Sequence, residues 1–121
     1  MATEADLEIF SGDTLDISVN VTDQSNVAVD LTGSDVLWQL AKADWKTNPV
    51  PIVLKSSAVA GEIIVTPGTG GNFVVKLLSG DTTGMPAGTY YHESQVTLAD
   101  GTIGTTTTGK FKVKANLIDP R

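Results

Sequence analysis

The sequence predicts an all-β fold: one antiparallel β-sandwich domain over residues 1–121, with about seven to nine short strands. Three observations carry that expectation. Apolar and polar residues alternate at period two over many short stretches. Turn residues (Gly, Pro, Asn, Asp) recur about every ten residues. No stretch sustains the period of an amphipathic helix.

Residues 1–6 are polar and unpatterned and read as a loose N-terminal arm. Leu7–Phe10 reads as a short edge strand. Over Asp13–Thr22, Leu15, Ile17, Val19 and Val21 point one way and Asp16, Ser18 and Asn20 the other, a half-buried strand. Asp23–Asn26 is a turn, because Asp, Ser and Asn side chains bond their own backbone. A short segment then leads through Val27–Leu31 to a turn at Leu31–Gly33. In Asp35–Ala43, Val36, Trp38 and Leu40 share a face, and Trp38 belongs between the sheets. Asp44–Pro51 reads as a loop, since its prolines cannot sustain a central ladder. Ile52–Ser56, Ile63–Thr66 and Asn72–Leu78 are three further strands. Ser79–Met85 is a crossover, with a helical turn capped by Asp81.

Met85–Val113 reads as the closing hairpin. Gly88 and Tyr90 after Met85-Pro86 suit a tyrosine corner, in which the phenol bonds backbone a few residues upstream. Asp100-Gly101 suits a primed hairpin turn, because glycine accepts positive φ. In Lys110–Lys114 the lysines face outward, where they guard an exposed edge. Residues 115–121 read as a C-terminal arm.

The 40% hydrophobic content and 121 residues suffice for a buried core. Eight basic against fourteen acidic residues leave a net charge of −6, with a pI near 4.4. Such a surface repels phosphate backbones, so nucleic acid is not the expected partner. No run is long enough for a membrane helix and the N-terminus lacks a secretory pattern, so folding in the cytoplasm is expected and a membrane partner is not. With no cysteine, disulfides and thiolate metal sites are excluded.

No catalytic constellation stands out. His92 is the single histidine and reads as a hydrogen-bonded core or rim residue, on the face of Tyr90. Ser94, His92 and Asp100 lack a nucleophile elbow or a recognisable oxyanion turn around them. Gly68–Gly71 is followed by a strand, so it reads as a turn and not as a phosphate cradle. Asp13, Asp16, Asp23, Asp30 and Asp35 lack calcium-loop spacing, and Asn20-Val21-Thr22 is a mid-strand coincidence with a glycosylation acceptor. No cofactor is expected. The candidate contact residues are Trp45 with Lys46 in the proline-stiffened loop, the β-prone run Thr105, Thr106, Thr107 and Thr108, and the arms, with Leu117 and Ile118 in the second. A carbohydrate-binding sandwich stacking sugars on Trp45 and Tyr91 is an alternative reading.

Taken together, Gly12-Asp13, the alternating strand, Val29–Gly33 and Val36-x-Trp38-x-Leu40 resemble the first half of a tailed-phage virion domain. It is the immunoglobulin-like N-terminal domain of upper baseplate proteins, with related small tail and head proteins. Gly71–Leu77, Gly88–Glu93, Ala99–Gly101 and Gly109–Val113 follow the same order, so the resemblance spans Gly12–Val113. It implies a non-enzymatic virion part, docked in symmetric copies on other virion proteins of the tail, baseplate or head, where capsid decoration is the variant. Trp38, Gly88, Tyr90, Asp100 and Gly101 are then structural. The sequence runs to Arg121 without the long C-terminal stalk region of upper baseplate proteins, so docking is expected and receptor attachment is not.

Overall fold

The computed structural model describes residues 3–4, 6–23, 25–42, 51–65, 70–83 and 85–115. Its strands are β1 (Thr3–Glu4), β2 (Leu7–Phe10), β3 (Leu15–Asn20), β4 (Asp35–Ala41), β5 (Pro51–Ser56), β6 (Ile63–Val65), β7 (Asn72–Leu77), β8 (Gly88–Thr97) and β9 (Ile103–Lys114). One helical turn, α1 (Ser79–Thr82), follows β7. The larger sheet runs β1-β9-β8-β4-β5, with β2 also on β9, and the smaller runs β3-β7-β6.

The expected alternation builds the core. β4 buries Val36, Trp38 and Leu40, β7 buries Phe73, Val75 and Leu77, and β3 buries Ile17 and Val19. Tyr90, Val96, Phe111 and Val113 close it from β8 and β9. Trp38 lies between the sheets as predicted, edge-on to Phe111 at 6.1 Å. Period two puts these side chains on inner faces, and burying them drives the sheets together.

The hairpin is present with a different turn. Leu98 N–H donates to Thr102 O at 2.8 Å and Gly101 N–H to Leu98 O at 2.9 Å. Gly101 has φ +92° whereas Asp100 is not in the positive region, so a primed turn is ruled out. The connection is a three-residue loop ending in a left-handed glycine. Asp100 Oδ1 accepts from Thr102 N–H at 2.9 Å, and this bond, with that from the Thr102 side chain, holds its carboxyl below the usual carboxylate range. The tyrosine corner forms as expected: the Tyr90 hydroxyl donates to Pro86 O at 2.7 Å. Tyr90→Phe should therefore lower unfolding stability by about 1–3 kcal/mol, since a carbonyl loses its partner. Urea unfolding followed by circular dichroism checks this, and an unchanged midpoint would contradict it.

Several expectations are corrected. The N-terminal arm is not loose throughout: Thr3 and Glu4 pair in parallel with Thr107 and Thr108, and Leu7–Phe10 continues along Phe111–Lys114. Backbone N–H and C=O groups on the outer side of β9 need partners whatever the side chains are, and this segment supplies them. β9 is therefore an interior strand, so its lysines guard no edge. The sandwich thus carries two parallel pairings, of β1 and β2 with β9, among antiparallel ones. Pro51 starts β5 instead of ending a loop, a position where a missing N–H is tolerated. Three predicted strands end early, at Asn20, Ala41 and Leu77, and Thr66 lies outside the described residues. Asp81 is not the cap of α1. It sits inside the turn, its Oδ2 accepting from Leu78 N–H at 2.7 Å and from Lys55 Nζ at 2.8 Å.

Candidate interaction surface

The inward turn of Trp38 and its neighbours directs Leu37, Gln39 and Ala41 to the outer face of the larger sheet. β5 follows the same rule: Lys55 points inward and is 6% exposed, while Ile52 and Leu54 face out. Register aligns these residues into rows. Leu54 lies beside Gln39, Gln39 beside Glu93 and Glu93 beside Thr108. In the next row Ser56, Leu37, Gln95 and Thr105 are neighbours. Ala41, Tyr91 and Lys110 form a third. Leu37, Ile52 and Leu54 are 42%, 36% and 52% exposed, a concentration of apolar surface on one sheet face. Beside them is a shallow depression of about 360 Å³ lined by Gln39, Ala41, Tyr91, Glu93, Thr108 and Gly109.

The threonine run divides. A register shift between Ser94 and Gln95 pairs Ser94 with Thr107 but Gln95 with Thr105. The extra residue of this bulge leaves both Thr106 and Thr107 buried. Thr106 Oγ1 shares a 2.8 Å hydrogen bond with Ser94 Oγ, whereas Thr107 Oγ1 has no partner among the described residues. Thr105 and Thr108 join the outer face. The run is thus an interior strand and not a free edge, because β1 occupies the far side of Thr107 and Thr108. Trp45, Lys46, Leu117 and Ile118 lie outside the described residues.

The surface formed by Leu37, Ile52 and Leu54 is the part that sequence reasoning missed. Its signal was present in Val36-Leu37-Trp38 and Ile52-Val53-Leu54, where apolar residues run consecutively instead of alternating. Such runs mark strands with apolar side chains on both faces. Chemistry is less apparent than contact. Among the described residues no group of His, Cys, Asp and Glu could hold a metal ion, and no helix is long and apolar enough to cross a membrane. His92 is 2% exposed, and its Nδ1 accepts from Trp38 Nε1 at 3.2 Å.

β3, β7 and β6 in one sheet, with β9, β8, β4 and β5 in the other, is the arrangement of an immunoglobulin-like sandwich. The chain is an immunoglobulin-like β-sandwich. His92, two residues after the corner tyrosine, stands where antibody domains place the second cysteine of the inter-sheet disulfide. In this chain, which has no cysteine, the imidazole there accepts from the indole of Trp38 on the neighbouring strand of the same sheet.

No family model matches the sequence, and no curated protein matches it. Similar solved structures include CopC from Methylosinus trichosporium OB3b, at 12% identity and a TM-score of 0.41, with 84% of this chain and 100% of that one covered. Murine CRIg is similar at 15% identity and a TM-score of 0.41, with 92% of each chain covered.

Proposed function

We propose that this chain is a non-enzymatic structural protein of a tailed-phage particle, docked in symmetric copies on neighbouring virion proteins. The observation that carries a docking role is the outer face of the larger sheet, where Leu37, Ile52 and Leu54 are exposed together. A neighbour with an apolar patch of its own would cover them, with Gln39, Glu93 and Lys110 as polar surroundings. The phage setting is supported by the resemblance over Gly12–Val113. In that setting the protein resides in the virion, on the tail, baseplate or head.

The test is a mass-spectrometric inventory of purified particles, with electron microscopy to locate the domain. The protein is expected as a stoichiometric component in many copies. Its absence from mature particles would overturn the proposal. Density on the capsid surface would assign the decoration variant, and density at the tail the baseplate one.

A further inference from the structure

We propose that β3 is a self-association edge, at which two copies pair their β3 strands antiparallel about a two-fold axis through Ser18. The two three-stranded sheets then become one continuous sheet across the pair.

The edge is open. β3 pairs with β7 on one side, and no described strand lies on the other. Val21 N–H donates to Gly71 O at 2.7 Å, which directs odd-numbered backbone groups at β7. Period two then turns the N–H and C=O groups of Asp16, Ser18 and Asn20 outward. Between this edge and the larger sheet lies a groove of about 410 Å³, lined by Leu7, Ile17, Val19 and Thr107 among others. No described strand covers β3 on this side.

The remaining edges are blunted, and β3 is not. β9 is covered by β1 and β2. β5 starts at Pro51 and turns Lys55 inward to Asp81, β6 has three residues, and β2 has four, with Glu8 held by Lys114. Short length, proline and an inward charge all discourage strand addition. β3 is six residues long. Its one charge, Asp16, is paired with Lys76 at 2.9 Å, so two copies of an acidic chain meet little repulsion here.

A second copy is the occupant because the strand is nearly palindromic about Ser18. In Leu15-Asp16-Ile17-Ser18-Val19-Asn20-Val21, the antiparallel register sets Asp16 against Asn20 of the other copy, not against its own equivalent. Ile17 meets Val19 and Leu15 meets Val21, so apolar residues meet on the inner face and polar ones on the outer. An isologous contact requires such self-complementarity.

This contact rests on the symmetric-copy reading above for its choice of partner, and its test does not use particles. The purified chain is expected to show a concentration-dependent monomer–dimer equilibrium by sedimentation. The chain lacks cysteine, so single substitutions are clean reporters. Ser18→Cys should form a disulfide-linked dimer on mild oxidation, because equivalent Cα atoms at the axis lie about 5.5 Å apart. Asp16→Cys should not, because its two copies would be about 13 Å apart. Asn20→Asp places like charges across both halves of the contact and should weaken dimerisation about two- to thirtyfold, while Asn20→Lys should strengthen it by a similar factor. These side chains are exposed, and circular dichroism melts verify that each variant folds. A chain that stays monomeric, equal cross-linking of both cysteine variants, or no effect at Asn20 would overturn the contact. None of these outcomes bears on the presence of the protein in virions.

Discussion

Trp38→Ala is expected to lower unfolding stability by about 3–5 kcal/mol, a large share of the 5–15 kcal/mol typical of a domain. Two losses combine. Trp38 is 1% exposed and fills the space between the sheets, with Phe111 and His92 ring centroids 6.1 and 6.0 Å away. Truncation leaves a cavity that strands on two sheets can only partly close, since each strand is held by its ladder. The second loss is the bond from Nε1 to His92 Nδ1, which leaves an imidazole nitrogen in the core without that donor. Trp38→Phe separates the terms: it keeps much of the ring volume and loses the bond, for about 1–3 kcal/mol. Urea titration with circular dichroism as the signal gives both values, with the slope against urea checking two-state unfolding. A Trp38→Ala midpoint near that of the parent would mean that the indole does not hold the sheets together.

Gly71→Ala should destabilise by about 2–4 kcal/mol, through two effects on one atom. Gly71 has φ +65°, where an L side chain is strained, and an added Cβ would sit 2.6 Å from Val21 O and 3.0 Å from Val29 O. Those neighbours are backbone, and they are engaged: Val21 N–H donates to Gly71 O at 2.7 Å and Val29 N–H to Val21 O at 3.0 Å. Relieving the clash means separating the start of β7 from the end of β3. Gly101→Ala supplies the comparison, because Gly101 also has positive φ, +92°, but open space around the added carbon. It should cost only the backbone strain, about 1–2 kcal/mol. Equal losses at the two positions in thermal or urea unfolding would show that packing at Gly71 contributes nothing. The glycine resembling part of a phosphate loop is thus a point of close backbone approach.

Much of the architecture was legible because period-two alternation is a property of single strands. Leu15 to Val21, Val36 to Leu40 and Phe73 to Leu77 each declare their buried face without reference to any neighbour. The tyrosine corner is equally local, since Tyr90 reaches only to Pro86. The bland reading of His92 as a core residue also followed from its strand position. The site was less legible. The threonine run was a candidate contact for its β-prone composition, with interior strand and edge both open, because composition does not say how many neighbours a strand has. Leu37 and Leu54 make a surface only when β4 and β5 lie side by side, which neither strand's own pattern states.

By itself, the sequence determined the class of fold, the inner face of most strands and the corner that opens the last hairpin. Tertiary structure alone decided which strands lie side by side. That choice rests on backbone hydrogen bonds, which are chemically the same at every residue and carry no sequence label. Hence only the assembled fold revealed Thr3–Glu4 along β9, the bulge that turns both Thr106 and Thr107 inward, and the outer face shared by β4 and β5. It also exposed β3, whose alternation was plain in the sequence but whose open edge depends on where the N-terminal segment came to rest.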